Sequence, residues 1–267
     1  MINILNNDIN FKEITMNSFI SWIGGKRLLR GRILDEFPDK GTYDRYIEVF
    51  GGAGWVLFGA EDRHTELEVY NDINGNLVNL FKCVKYHPEA LQKELEFIFM
   101  SREQFFDAKG QMEAKGLTDI QKAARFYILV KESYGTDYDS FGVKSRNMEN
   151  AVEYLAKVSK RLNNVVIENV DFERLIKIYD RNKALFYLDP PYYGAEKYYS
   201  TSFTLEEHIK PKTALEQLKG RFILSYNDCE FVRDLYNEYN IIEVERMNNL
   251  IKGEKKPKYK ELLIKNY

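Results

Sequence analysis

Short apolar runs that end in small or polar residues mark the first part of the chain. Residues 46–50 form such a run, a glycine-rich turn at 51–54 follows it, and an apolar stretch continues through Ala60. Together they predict a strand, a turn and a helix. Residues 68–70 predict a second strand, which ends at Asn71 and Asp72. This alternation is typical of an α/β fold.

The middle of the chain has a different pattern. From Asn76 to Leu162 apolar residues recur at helical spacing among long charged side chains, and no strand pattern interrupts them. Residues 133–147, rich in Gly, Tyr, Asp and Ser, predict an exposed loop between two of these helices. The pattern therefore predicts a helical insertion that divides the strands into two groups.

Strand patterns return after residue 164. Five further strands are predicted at residues 165–167, 184–188, 222–225, 241–246 and 262–265, the last two as a pair. Strands that alternate with helices form mainly parallel sheets, and the ligands of such sheets lie at the carboxyl ends of the strands. The turn 51–54, Asp72, Asp171 and Asp189 each follow a predicted strand, so we expect them to share one edge of the sheet.

Length and composition narrow the function classes. A chain of 267 residues with 44% hydrophobic content can bury one core, or one core with a smaller inserted module. Two cysteines and three histidines indicate neither a zinc site nor a disulfide framework, and they fit a reducing, cytoplasmic compartment. No apolar run of about 18 residues and no charged-then-apolar N-terminus is present, so neither a membrane nor a secreted protein is expected.

Charge by itself argues weakly against a nucleic-acid partner, because the net charge is −2. Basic residues nevertheless cluster at 24–34 and at 251–260. Either cluster could contact phosphates or be an ordinary solvated face.

The glycine turn indicates a nucleotide-like ligand. Its glycines permit a close approach of backbone to ligand, and an acid about 20 positions later, here Asp72, commonly binds ribose hydroxyls. The residues after Gly54 lack the third glycine of a dinucleotide fingerprint, so a pyrophosphate cofactor is disfavoured. S-adenosylmethionine, a nucleoside with an amino-acid tail, meets this description, and a generic turn without a ligand is the alternative.

The run Asp189, Pro190, Pro191 and Tyr192 follows residues 184–188 and suits methylation of an exocyclic amino group on a base. That nitrogen is a poor nucleophile because its lone pair is delocalised into the ring. The Asp189 carboxylate and the Pro190 carbonyl can accept its two N–H bonds, and both interactions strengthen as positive charge develops. Tyr192 can stack on a base extruded from the duplex. Alternatively, the prolines form only a rigid turn, and Asp189 caps the next helix.

These motifs, in this order, resemble the Dam-type family of adenine-specific DNA methyltransferases over nearly the whole chain. Residues 21–26 are similar to the family's Trp-x-Gly-Gly-Lys opening, residues 48–54 to its glycine motif and residues 189–192 to its catalytic loop. Residues 222–227 and 261–267 also resemble family segments, with framework roles that support the target pocket.

The resemblance implies a Rossmann-like class I S-adenosylmethionine-dependent methyltransferase sheet of seven mostly parallel strands. Residues 1–73 and 161–267 would form a discontinuous catalytic domain, and residues 74–160 a helical target-recognition insertion. Trp22 and Lys26 would lie against the methionine end of the cofactor, and Asp171 and Phe172 would hold its adenine. The full set of implied cofactor-binding residues is Trp22, Lys26, Glu48, Phe50, Gly52, Gly54, Asp72, Asp171, Phe172 and Asp189.

The recognition insertion departs from the family members that methylate GATC. Their recognition stretch carries an Arg-Asn-Gly turn, which residues 133–142 lack, so GATC specificity does not carry over. The candidates for DNA contact are Tyr134, Tyr138, Lys144, Arg146 and Asn147. Arginine and asparagine can pair bidentately with guanine and adenine edges, and a tyrosine can wedge into the duplex. Helix capping, solvent exposure and core packing are the alternative roles for these residues.

We therefore expect a site-specific adenine methyltransferase that flips a base out of double-stranded DNA and methylates it by direct displacement, releasing S-adenosylhomocysteine. We expect it to work without a metal, in the cytoplasm of a prokaryotic cell or phage-infected host, as a monomer or weak dimer. A cognate restriction enzyme is an open option, and no role is assigned to His64, His87 or His208.

Several alternatives stay open at this stage. Similar loops methylate cytosine N4, RNA bases or protein amides, and a non-catalytic DNA-binding or cofactor-binding relative would keep the same fold. An NAD-dependent oxidoreductase is weakened by the missing glycine.

Overall fold

The apolar runs become the strands of one sheet in the computed structural model, which describes residues 16–60, 65–96, 101–134, 138–143, 147–194, 203–247 and 258–267. The strands are β1 (Arg45–Glu48), β2 (Leu67–Asn71), β3 (Val165–Glu168), β4 (Ala184–Leu188), β5 (Arg221–Asn227), β6 (Asn240–Met247) and β7 (Lys258–Lys265). The helices are α1 (Arg30–Asp35), α2 (Trp55–Gly59), α3 (Gly75–Tyr86), α4 (Pro88–Leu95), α5 (Arg102–Gln111), α6 (Asp119–Glu132), α7 (Met148–Leu162), α8 (Phe172–Tyr179), α9 (Leu205–Glu216) and α10 (Glu230–Leu235).

The strand order is β3-β2-β1-β4-β5-β7-β6. The first five strands in this order are parallel, and β7 runs antiparallel to both β5 and β6. This confirms the predicted mainly parallel sheet of seven strands. The predicted pairing of the last two strands is confirmed as well, with Asn240 opposite Lys265 and Val244 opposite Glu261.

Strand β1 ends at Glu48, two residues before the predicted end. The carbonyl of Val49 accepts a hydrogen bond from the Asn71 side chain at 2.9 Å. The Asn71 side chain thus takes the place of a backbone hydrogen-bond partner at Val49. The backbone leaves the strand here and enters the glycine turn.

Both faces of the sheet are covered by helices. Successive side chains of a strand point to opposite faces, so each strand contributes to two cores. Tyr46, Leu185 and Ile223 belong to one apolar core, which also contains buried residues of α2 to α7. Their immediate neighbours Ile47 and Phe186 belong to a second core on the other face, together with buried residues of α8 to α10. The near-continuous apolar runs of the central strands follow from this double burial.

The segment between β2 and β3 is helical in its described parts, as predicted, apart from an isolated bridge between Ser133 and Phe141. Helix α7 is tied to the sheet by Arg161, which forms a buried ion pair of 2.7 Å with Glu68 of β2 and donates to the carbonyl of Leu57. None of the helices in the described part of the chain has the length and apolar character needed to cross a bilayer.

Candidate active site

Four of the predicted site segments lie at one edge of the sheet. Strands β3, β2, β1 and β4 are consecutive neighbours, and their carboxyl ends lead into Asp171, Asp72, the glycine turn and Asp189 in that order. Buried Asn71 connects three of these ends, since its amide donates to the carbonyls of Val49 and Val170 and its oxygen accepts from the Val170 N–H at 3.0 Å. This edge is therefore held together by side-chain hydrogen bonds as well as by the strands.

The glycine turn depends on the absence of side chains. A Cβ atom on Gly51 would lie 2.3 Å from the ring of Tyr70, whose hydroxyl donates to the Gly52 carbonyl at 2.7 Å. Gly52 and Gly54 have φ values of 49° and 67°, in the left-handed region that favours glycine. The Tyr70 side chain thus packs against the turn and fixes its shape.

Asp72 is linked to this turn directly. Its carboxylate accepts hydrogen bonds from the Gly52 N–H at 2.9 Å and from the Asn74 N–H at 2.8 Å. Burial raises the pKa of the carboxyl group, and these backbone N–H groups oppose that rise. The acid predicted to bind ribose therefore stands beside the turn.

Trp22 lies against the turn from the N-terminal segment. A Cβ atom on Gly52 would lie 2.9 Å from Trp22 Cδ1. The indole is also 6.1 Å from the ring of Phe126 and 5.6 Å from the ring of Tyr138, measured between centroids. Residues of α6 and of the segment after it therefore reach the predicted cofactor site.

The residues expected to hold the adenine occupy neighbouring positions. The rings of Phe50 and Phe172 are 5.6 Å apart. Asp171 is the N-cap of α8 and accepts from the Arg174 N–H at 2.9 Å. An aromatic pair beside a capped helix start is consistent with binding a flat base.

Glu48 faces inward at the end of β1. Its carboxylate accepts from the Tyr46 hydroxyl at 2.8 Å and from the Leu57 N–H at 2.6 Å. Burial raises the pKa of Glu48 to about 8. The bond to the Leu57 N–H fixes the start of α2, and the expected cofactor contact of Glu48 remains a prediction.

The predicted catalytic loop contains a buried ion pair. The Lys26 ammonium is 2.6 Å from Asp189 Oδ1 and 2.7 Å from Oδ2, and it also donates to the Gly24 carbonyl at 2.9 Å. Lys26 is 5% exposed and the Asp189 side chain 16%. The same ammonium lies 4.8 Å from the centroid of the Tyr192 ring. The opening motif and the catalytic loop, 163 positions apart in sequence, thus meet at one carboxylate.

Tyr192 is fixed by its hydroxyl. It donates a hydrogen bond of 2.6 Å to Glu261 of β7, which is 2% exposed, and its ring lies 5.8 Å from that of Tyr226 in a stacked orientation. Burial, Asp189 and Glu261 raise the pKa of the Tyr192 hydroxyl. The side chain of Asn227 donates to the Tyr193 carbonyl at 3.0 Å and holds the loop after Tyr192.

The DNA-contact candidates are separated by the structure. Lys144 and Arg146 lie outside the described residues. Tyr134 is 74% exposed, whereas Tyr138 packs against Trp22 and Phe126. Asn147 is the N-cap of α7 and accepts from the Asn150 N–H at 2.9 Å.

Sequence reasoning assigned no individual roles to Asn71, Tyr70 and Glu261. The signal for Asn71 and Tyr70 was a polar and an aromatic residue at the end of an apolar strand. Glu261 carried no comparable signal, because it follows a lysine and directly precedes the predicted strand 262–265. His208 is fully buried and its Nδ1 hydrogen-bonds to the Tyr226 hydroxyl behind the catalytic loop. His87 lies at the junction of α3 and α4, and His64 lies outside the described residues.

The residues at this edge fit the S-adenosylmethionine that the sequence predicts. Asp72 offers a carboxylate for hydroxyl groups, Phe50 and Phe172 offer rings for a base, and the glycine turn leaves space that side chains would fill. The buried Tyr138 hydroxyl oxygen, moreover, has no hydrogen-bond partner among the described residues. An unpaired buried polar atom is common where a ligand completes the site.

Comparison with known proteins finds similar sequences among DNA methyltransferases. A type II methyltransferase of Lactococcus lactis subsp. cremoris, M1.LlaDCHI, is 26% identical over 96% of this chain and 97% of its own length. A DNA adenine methylase of Haemophilus influenzae is 24% identical over 92% of each chain. Among solved structures, an rRNA methylase from Streptococcus thermophilus superimposes with a TM-score of 0.36 and 14% identity, over 90% of this chain and 96% of that one.

The seven-stranded sheet, with its single antiparallel insertion of β7 beside β5, is the Rossmann-like sheet of class I S-adenosylmethionine-dependent methyltransferases, as predicted. Residues 22–250, which begin in the opening motif and extend just beyond β6, match the family model of the D12 class. The chain therefore belongs to the D12 class of N6 adenine-specific DNA methyltransferases, which are S-adenosylmethionine-dependent enzymes.

Proposed function

We propose that this protein methylates the exocyclic amino group of adenine at one short sequence in double-stranded DNA, with residues 189–192 as the catalytic loop. The observation that carries this assignment is the meeting of Asp189, Lys26 and Tyr192 beside the glycine turn, at the carboxyl edge of the sheet. DNA adenine methylation is the activity of the family. The residue roles given below are our proposal.

Asp189 is the acceptor for one N–H of the target amino group. A carboxylate has about four lone-pair positions, so the two short contacts to Lys26 leave others for a substrate N–H. The ammonium holds the carboxylate in place through both of its oxygens. We assign the second N–H to the carbonyl of buried Pro190. Two acceptors that strengthen as charge develops on nitrogen stabilise the transition state more than the ground state.

Tyr192 positions the flipped adenine by stacking. Base–aromatic stacking is worth roughly 1 to 3 kcal/mol, which offsets much of the few kcal/mol needed to extrude a paired base. The hydrogen bond to Glu261 and the neighbouring Tyr226 ring restrict the rotation of the Tyr192 side chain. A ring that is already held in place loses little conformational entropy when the base arrives.

When bound, S-adenosylmethionine supplies a methyl group on a positively charged sulfur. We propose that Asp72 binds the ribose hydroxyls, that Phe50 and Phe172 enclose the adenine ring and that Trp22 covers the glycine turn. Glu48, Gly52, Gly54, Asp171, Lys26 and, through its ion pair with Lys26, Asp189 complete the predicted binding set. Lys26 would then lie between the cofactor and Asp189, with its ammonium group close to both.

We assign target recognition to the helical segment 74–160, with the stretch between α6 and α7 facing DNA. Exposed Tyr134 and Asn147 are candidates in the described part, and Lys144 and Arg146 are further candidates from the sequence. Electrostatic contacts of this kind weaken with added salt. Two curated relatives are named type II methyltransferases, and a cognate restriction enzyme remains a prediction for this chain, as do a cytoplasmic location and a monomeric or weakly dimeric state.

The direct test expresses the chain in a methylation-deficient bacterial host and maps modified bases in its DNA by long-read sequencing. We expect N6-methyladenine at one short motif with the wild type and with Asp35→Asn, a control at an exposed acid. Asp189→Ala and the isosteric Asp189→Asn should leave the DNA unmodified while S-adenosylmethionine binding persists.

The alternatives give different results in the same experiment. N4-methylcytosine would reassign the base. Cofactor binding without any modified DNA base would refute the DNA assignment and direct the assay to RNA or protein. Full modification by Asp189→Asn would refute the assignment of the catalytic loop.

A further inference from the structure

Tyr138 occupies an unusual position for a residue in a DNA-facing segment. Its ring lies 5.6 Å from that of Trp22 and 5.8 Å from that of Phe126, and its hydroxyl oxygen is buried. Tyr134, in the same segment, is 74% exposed. The two tyrosines that the sequence treats as equivalent therefore have different surroundings.

The backbone at Tyr138 has a φ of 60°, the single positive value at a non-glycine residue in the described ranges. The left-handed region is unfavourable for a residue with a Cβ atom, and it persists where the surrounding structure holds it. Such residues cluster at active sites and ligand-binding segments. The conformation directs the Tyr138 ring inward, onto Trp22.

The hydroxyl group of Tyr138 has no hydrogen-bond partner in the described part of the chain. Burying a hydroxyl without a partner is unfavourable, and native structures contain few such groups. A hydrogen-bonding partner that arrives with a ligand would remove the penalty.

The surroundings of the hydroxyl identify the ligand. Trp22 lies against Gly52, and the Gly52 N–H donates to Asp72. Burial raises the pKa of the Tyr138 hydroxyl, and the negative charge of Asp72 raises it further, so the two groups are within electrostatic reach of each other. Asp72 is the acid assigned to the cofactor ribose.

We propose that Tyr138 is a cofactor-binding residue whose O–H donates to a ribose hydroxyl oxygen of S-adenosylmethionine, while that ribose hydroxyl donates to Asp72. The inference rests on the cofactor site described under the proposed function. A residue of the segment assigned to target recognition then forms part of the cofactor pocket, and the role of a wedge in the duplex falls to other residues.

The test compares Tyr138→Phe with Tyr134→Phe, which removes an exposed hydroxyl from the same segment. Calorimetric titration with S-adenosylhomocysteine, without DNA, should give a Kd about 2-fold to 12-fold higher for Tyr138→Phe, the range for one neutral hydrogen bond. Tyr134→Phe should match the wild type.

A second readout separates binding from a structural role. Without cofactor, the thermal midpoint of Tyr138→Phe should equal or exceed that of the wild type, because the substitution removes an unpaired buried hydroxyl. With saturating S-adenosylhomocysteine, the midpoint should rise less than in the wild type. A lower midpoint in the cofactor-free variant would show that the hydroxyl is structural and would overturn the inference.

The ribose assignment is tested with 5′-methylthioadenosine, which lacks the amino-acid tail, in competition with radiolabelled S-adenosylmethionine. Its inhibition constant should rise by the same factor as the Kd of S-adenosylhomocysteine. An unchanged constant would move the contact to the amino-acid end and refute the ribose assignment.

The proposed function can fail separately. If the wild type and Asp72→Ala bind S-adenosylhomocysteine equally, the cofactor site itself is misplaced. If Asp72→Ala loses binding and Tyr138→Phe binds like the wild type, only the inference about Tyr138 is overturned. Weaker DNA binding by Tyr138→Phe, with an unchanged cofactor Kd, would also overturn it in favour of a DNA contact.

Discussion

The hydrogen bond between Tyr192 and Glu261 offers a sharp test of how the catalytic loop is positioned. Tyr192→Phe keeps the ring for stacking and removes the donor to a carboxylate that is 2% exposed. A hydrogen bond to a charged group contributes roughly 1.5 to 3 kcal/mol, and the loss of one partner leaves the other buried and less satisfied. We therefore expect the free energy of unfolding of Tyr192→Phe to fall by about this amount.

Glu261 has further contacts, so a double-mutant cycle is needed to isolate this pair. Glu261→Met replaces the carboxylate by an apolar side chain of similar length, and the double variant removes both partners. We expect a coupling energy of roughly 1.5 to 3 kcal/mol from urea unfolding. Tyr134→Phe and Glu243→Gln, at exposed positions, should each change stability by less than about 0.5 kcal/mol.

The same variants connect stability to activity. Methyl transfer from tritiated S-adenosylmethionine to DNA should be about tenfold slower in kcat for Tyr192→Phe, because a ring without its anchor places the base less accurately. The Kd for cofactor should not change. A coupling energy below about 0.5 kcal/mol, or a kcat equal to that of the wild type, would refute the reasoning that Glu261 positions Tyr192.

Three further predictions concern the same edge of the sheet. Because burial raises the pKa of Glu48 from 4.5 to about 8, the folded state keeps a proton that the unfolded chain releases, so stability falls as pH rises through this range. Between pH 6 and 8 the wild type should lose about 2 to 3 kcal/mol more unfolding free energy than Glu48→Gln. Unfolding free energies from urea titrations that fall in parallel with pH in the two proteins would contradict this. Lys26→Met should lower the unfolding free energy by roughly 2 to 4 kcal/mol, because it leaves the Asp189 carboxylate without its partner. This range is below that of a fully buried pair, since the Asp189 side chain is 16% exposed. Adding Asp189→Asn should recover part of the lost stability. Gly51→Ala should destabilise the protein by about 1 to 3 kcal/mol and weaken cofactor binding in titration, because its Cβ would meet a tyrosine ring that is stacked 4.0 Å from Phe81; unchanged binding would contradict the tight fit.

The features that depend on short-range sequence patterns, namely the strands, the turns and the site motifs, were predictable from the sequence. Apolar runs predicted all seven strands, most clearly the central strands β4 and β5, because a strand buried on both faces needs several apolar residues in succession. The prolines and glycines marked where strands end, since these residues favour turns over ladders. The glycine turn, Asp72, Asp171 and Asp189 were predicted to share one edge because each follows a predicted strand, and the observed order of β3, β2, β1 and β4 brings the strand ends together there.

The contacts between these motifs were not predictable. Lys26 was expected to lie along the cofactor, and the ion pair with Asp189 depends on how the N-terminal segment crosses the end of β4. Glu261 contacts Tyr192 only because β7 enters the sheet beside β5, with Asn227 opposite Glu261. Nothing in the local sequence specifies a partner tens of positions away.

The sequence by itself determined the fold class, the family and the chemical identity of the catalytic loop, because residue types and their local order carry that information. The tertiary structure decided which charges meet, which carboxylates are buried and which tyrosine of the segment between α6 and α7 turns inward. These properties depend on distance and on exclusion of water, and both arise only when segments far apart in the chain pack together.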